Sequence, residues 1–142
     1  MNSNVPMTTR TPLVATLAPS SQAVGARSTG WLSVSEYFSF MALVQAGALG
    51  ASGTVDAKIE QAQDAAGTGA KDVTSKAATQ IAASNKTAAI SLGHNDMDTT
   101  NGFTHIRLTV TVGTAASQTS ASVFAADARY EKPANNQADE VV

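Results

Sequence analysis

The chain has 142 residues, a mass of 14.5 kDa and a formal net charge of −2, which describes one domain and not the basic balance of a general nucleic-acid binder. It holds 27 Ala but only 27 Leu, Ile, Val and Phe together, so a thin core and a surface of small, uncharged residues are expected, a combination that gains from association. Cysteine is absent, which excludes disulfides, thiolate metal sites and cysteine nucleophiles. There is no run of 18 apolar residues to span a membrane, and the first ten residues lack the basic start and apolar stretch of a secretory signal.

Residues 1–30 contain three of the four prolines, Pro6, Pro12 and Pro19, among many Ser and Thr. Proline lacks a backbone donor and pushes its predecessor towards extended conformations. No period is sustained there, so an extended N-terminal arm is expected, with Val14, Leu17 and Val24 available to order on a partner's surface. The domain is expected over 31–132, opening at the single tryptophan, Trp31. Trp31 to Ser35 reads as a short strand. Phe38 to Ala46 is a continuous apolar run, suited to a buried strand or a short helix. Trp31, Tyr37, Phe38 and Phe40 are expected mainly in the core.

Residues 54–62 alternate, with Val55, Ala57 and Ile59 facing one way and Asp56, Lys58 and Glu60 the other, as in a half-buried strand. Residues 64–72 read as a turn or loop, and 76–84 have no clear period. In 87–93, Ala88, Ile90 and Leu92 alternate inward. Residues 94–102 form a polar connection ending in Asn101-Gly102, a pair that tolerates positive φ. The clearest strand follows: Ile106, Leu108, Val110 and Val112 inward, His105, Arg107, Thr109 and Thr111 outward. Residues 113–118 suit a hairpin connection to a returning strand over 119–130, and a flexible tail is expected over 133–142. The sum is a mainly β fold, an antiparallel β-sandwich or barrel-like domain with an extended N-terminal arm.

No catalytic constellation emerges. Gly67-Thr68-Gly69-Ala70-Lys71-Asp72 lacks the Gly-Lys-Ser/Thr ending of a phosphate loop, and Asp72 would repel phosphate. His94, Asp96 and Asp98 have alternate spacing but no distal Glu, so a polar turn is expected rather than a metal site. Ser is plentiful, but no Gly-x-Ser-x-Gly elbow exists, and only His94 and His105 are available as bases. Asp127 is expected to pair with Arg129 or Arg107. No cofactor is expected.

Three segments, STGWLSVSEYFSFMALVQAGAL, GTVDAKIEQAQDAAGTGAKDV and NGFTHIRLTVTVGTAASQTSASVFAADARY, resemble a family of small proteins from the head-gene region of tailed bacteriophages and prophages. The resemblance implies a capsid decoration (cement) protein. Such a protein is non-enzymatic and homotrimeric, binds the outer surface of the phage major capsid protein shell, and stabilises contacts between capsomers. It would be made in the bacterial host cytoplasm and reside in the virion, with no nucleic-acid or membrane partner. A minor structural protein of the neck or tail, or a virion-surface adhesion module, is the alternative. Pro12, Leu13, Val14 and Leu17 of the arm, Trp31 and Tyr37 of the aromatic cluster, and Arg107 and Arg129 as polar rim are the candidate capsid or subunit contacts.

Overall fold

In the computed structural model, residues 5–130 and residue 140 are described. A single helical turn, α1 (Met7–Arg10), precedes nine strands. These are β1 (Leu13–Gln22), β2 (Gly25–Ser28), β3 (Leu32–Ser33), β4 (Tyr37–Ala46), β5 (Thr54–Ala62), β6 (Lys71–Ala77), β7 (Lys86–Gly93), β8 (His105–Gly113) and β9 (Ser117–Ala128). Two short 3₁₀ turns, His94–Asp96 and Thr99–Asn101, fill the polar connection, and Gly102 closes it at φ +80°.

The strands form two antiparallel sheets. Sheet A has the order β1-β9-β4-β7; sheet B has β2-β8-β5-β6, with β3 continuing β2 along β8. The pairings nest: β1 with β9, β2 and β3 with β8, β4 with β7, β5 with β6. The chain is thus one long hairpin, bent at the loop 63–70 and wrapped so that successive rungs fall in alternate sheets. This is a jelly roll, which decides for a sandwich over a barrel.

Period-two burial drives the packing. Phe40, Ala42, Val44, Ala121, Val123, Ala125, Ile90 and Leu92 of sheet A meet Val55, Ala57, Ile59, Ile106, Leu108, Val110 and Val112 of sheet B.

Two expectations need correction. Residues 13–28 do not stand off as an arm: β1 is an edge of sheet A, β2 an edge of sheet B, and Val14, Ala15 and Leu17 are buried. The strand period is broken by register shifts between Leu13 and Ala15 and between Leu17 and Ser20. Pro19 falls in the second irregularity, on an edge, where a missing donor costs no ladder bond. Second, β8 and β9 are not a hairpin. The 113–118 connection crosses from sheet B to sheet A, and β9 pairs with β1 and β4. Alternation shows that each strand has one buried face, but not which sheet supplies it. The tail expected over 133–142 lies outside the described residues except for Glu140.

At the corner where β1 leaves sheet A for β2, Gln22 is 8% exposed. Its Nε2 donates to Gly25 O (2.9 Å) and Val110 O (3.1 Å), and its Oε1 accepts from Thr119 Oγ1 (2.8 Å). Arg27 completes the corner, donating to Ser20 Oγ (2.9 Å) and Thr119 Oγ1 (3.3 Å). One amide therefore ties both sheets together.

Candidate interaction surface

The two outer faces differ in charge. In the four strands of sheet A the only charged residues are Lys86 and Asp127, each near a strand end. The strands of sheet B carry Arg27, Asp56, Lys58, Glu60, Lys71, Asp72, Lys76 and Arg107.

The register assembles the outer face of sheet A. Leu13 lies opposite Phe124, Phe124 opposite Met41, and Met41 opposite Ser91, one row across all four strands. The next row sets Thr16, Ser122, Leu43 and Ala89 side by side. Met41 is 40% exposed, and Leu13, Leu43 and Phe124 are half-buried. Beside the row, a shallow groove runs along Thr11, Ser39, Met41, Ser91, Phe124 and Ala126. The face is an uncharged field of Ala, Ser and Thr with an apolar centre.

At one end of this face, Arg129 lies over the Phe38 ring, 4.3 Å from its centroid, and its Nη2 is 2.8 Å from His94 Nδ1. Phe38 meets His94 edge-on at 6.2 Å and is 46% exposed, so it is not in the core. Asp127 accepts a hydrogen bond from Ser39 Oγ at 2.5 Å, and neither Arg129 nor Arg107 pairs with it.

The outer face of sheet B is a network of ion pairs. Glu60 accepts from Arg107 Nε (2.7 Å) and Thr109 Oγ1 (2.6 Å), with Lys58 Nζ at 3.5 Å. Burial pushes the Glu60 carboxyl up, but the bonds from Arg107 and Thr109 outweigh it and hold it below the usual range. Lys58 is raised, chiefly by its bond to Asp72 at 2.7 Å. The Arg107 guanidinium stacks 4.5 Å from the Trp31 ring centroid. Trp31 in turn lies against Gly67, where φ is +85° and a Cβ would come 2.6 Å from the indole Nε1.

The eight candidate contacts therefore separate. Pro12, Val14, Leu17 and Tyr37 are interior, with Tyr37 edge-on to Phe40 at 6.2 Å, and present no surface to a partner. Leu13 belongs to the uncharged face of sheet A. Arg129 stands at the end of that face. Trp31 and Arg107 are together, but on sheet B. Met41, Leu43 and Phe124 are not among the residues that the sequence singles out, whereas Phe38 is, as part of the aromatic cluster expected mainly in the core. The signal was present: a strand in a two-layer fold buries alternate residues only, so an unbroken apolar run must leave half of its side chains outside.

The polar connection is internally engaged. Asp96 accepts from the Gly93 N–H (2.7 Å) and pairs with Lys76 (2.9 Å); both hold its carboxyl low, the Gly93 bond most. Asp98 pairs with Lys71 (2.5 Å) and accepts from Asn101, and is likewise held low. Among the described residues no three His, Asp or Glu side chains are grouped to hold a metal ion, and no helix is long and apolar enough to cross a membrane.

No family model matches the chain, and no curated protein matches it. Among solved structures it is similar to a chain of the cowpea mosaic virus empty virus-like particle. The identity is 10% and the TM-score 0.42, over 100% of this chain and 95% of that one. This is a remote similarity to a virus-particle protein.

Proposed function

We propose that the protein is a decoration (cement) protein of a tailed-phage head, a non-enzymatic component that lies on the outside of the major capsid shell and ties neighbouring capsomers together. The observation that carries this reading is the segregation of charge. A face without formal charges, centred on Leu13, Met41, Leu43 and Phe124, can be covered without desolvating an ion, while the charged face of sheet B stays in water. The family resemblance of the three sequence segments supplies the kind of partner.

Copy number per purified virion, by quantitative mass spectrometry against the major capsid protein, tests this reading. Copies comparable with the capsid protein are expected. A handful per particle points instead to the neck or tail, and absence refutes the virion reading. Shell binding should also fall at least tenfold for Met41→Glu or Phe124→Glu, and stay within twofold for Asp56→Ala on the opposite face. Equal effects on both faces refute the choice of sheet A.

A further inference from the structure

Four strand edges bound the sandwich, and three of them are blocked against further pairing. β1 carries Pro19 and two register shifts. β2 and β3 are four and two residues long and are interrupted between. β6 bears Lys71, Asp72 and Lys76, a register shift against β5, and Ser75 at φ +61°. These are the devices by which edges are kept from pairing. β7 has none of them: it pairs with β4 over eight consecutive positions without a shift, contains no proline, and after Lys86 has no charge.

The ladder shows which backbone groups of β7 are open. Ala125 N–H donates to Pro12 O, towards β1, so the alternate residues of β9, including Phe124 and Ser122, bond towards β4. Gly47 N–H bonding to Gln118 O keeps the same phase. Met41 and Leu43 therefore bond to β9, while Phe40, Ala42 and Val44 bond to Leu92, Ile90 and Ala88 of β7. The N–H and C=O of Thr87, Ala89 and Ser91 are left facing an edge that no other strand among the described residues pairs with, and all three residues are exposed. Both limits are marked: at one end Asn85 leaves the strand at φ +58°, and at the other the Gly93 N–H is taken by Asp96. The open stretch is centred on Ala89.

We infer that β7 is a pairing edge for a second copy of this chain, joined antiparallel about a two-fold axis at Ala89. Thr87 then faces Ser91, Ala89 faces its own counterpart and Ser91 faces Thr87, using every open donor and acceptor in about six interchain hydrogen bonds. The register also sets Lys86 near a carboxylate that Lys76 already pairs. Lys86, which makes no ion pair among the described residues, comes opposite Leu92 of the second copy, next to the Gly93 whose N–H holds the Asp96 carboxylate. The result is one eight-stranded sheet with a continuous uncharged outer face. The threefold association implied by the family resemblance finds no second open edge among the described residues with which to close a ring. The pairing stands on the edge geometry and does not depend on the capsid reading.

Analytical ultracentrifugation of the full chain over a concentration series tests it. A dimer is expected. Ala89→Lys and Ala89→Glu each place like charges on facing residues, with side chains on the exposed face, so each should weaken dimerisation at least tenfold with an unchanged thermal melt. A one-to-one mixture of the two should restore the dimer. Amide exchange at Thr87, Ala89 and Ser91 should be slow in the wild type and fast in either variant. A monomer at all concentrations, a trimer, or a dimer indifferent to both Ala89 changes would overturn the inference.

Discussion

Replacing Gln22 with Ala probes the tie between the sheets most directly. The amide makes three hydrogen bonds, to Gly25 O, Val110 O and Thr119 Oγ1, from a position that is 8% exposed. Each such bond has a net worth of about 1 kcal/mol, and a buried group left unpaired costs about 1–3 kcal/mol. The loss expected for Gln22→Ala is about 3 kcal/mol, or a fall in Tm of about 10 °C for a domain of this size. Thr119→Val deletes the hydroxyl that donates to Gln22 and accepts from Arg27, for a loss of about 1.5 kcal/mol. The two changes share one bond, so the double variant should lose about 1 kcal/mol less than the sum. Urea titrations of the four proteins measure this cycle. Additivity to within about 0.5 kcal/mol, or a single loss for Gln22→Ala below about 1 kcal/mol, refutes the assignment of the corner as a tie.

Deleting residues 2–28 removes β1, β2 and the Gln22 tie and uncovers the flank of β9, so the truncated chain should lose its cooperative melt; a native-like melt would return residues 1–30 to the status of an arm. Gly67→Ala forces a side chain into positive φ against the indole of Trp31, for a loss of about 1–2 kcal/mol and a change in tryptophan emission, readable by denaturant titration. Stability should depend on acid through Glu60, Asp96 and Asp98, whose carboxyls are held low in the folded protein. Their contribution is complete above the ordinary values of 4.5 for Glu60 and 3.8 for the aspartates, and is lost as pH falls through the lower folded values. Melts should therefore be flat from pH 7 to about 5 and fall below that. Glu60→Gln should cost about 2 kcal/mol at pH 7 and flatten the acid limb; an unchanged limb would show that Glu60 does not carry it.

How legible the fold was follows from how each strand is solvated. β5 and β8 have one face in the core and one in water, so their alternation of Val, Ile and Leu with charged residues and Thr was plain, down to the inward side chains. β1 was missed because its bulges put Val14 and Ala15 both inside, which destroys the period. The run in β4 suits a buried strand or a short helix equally because Met41 and Leu43 make its outer side as apolar as its inner side. That ambiguity concealed the candidate surface: an apolar residue outside looks like core to a reading that sees composition alone. The Gln22 tie had no local signal, since its partners Val110 and Thr119 are some ninety residues away and only the fold brings them close.

The nesting of strands also sets an order in time. β5 and β6 are joined by eight residues and can pair early, whereas Leu13 must wait for Phe124. Closing a loop of that length before any inner rung exists costs entropy with no contact to offset it. Assembly should therefore proceed from the middle of the chain outward, each rung shortening the loop that the next must close. During synthesis β1 leaves the ribosome first and finds its partner last. Its proline and bulges then have a second use: they keep the strand that waits longest from pairing with the wrong neighbour.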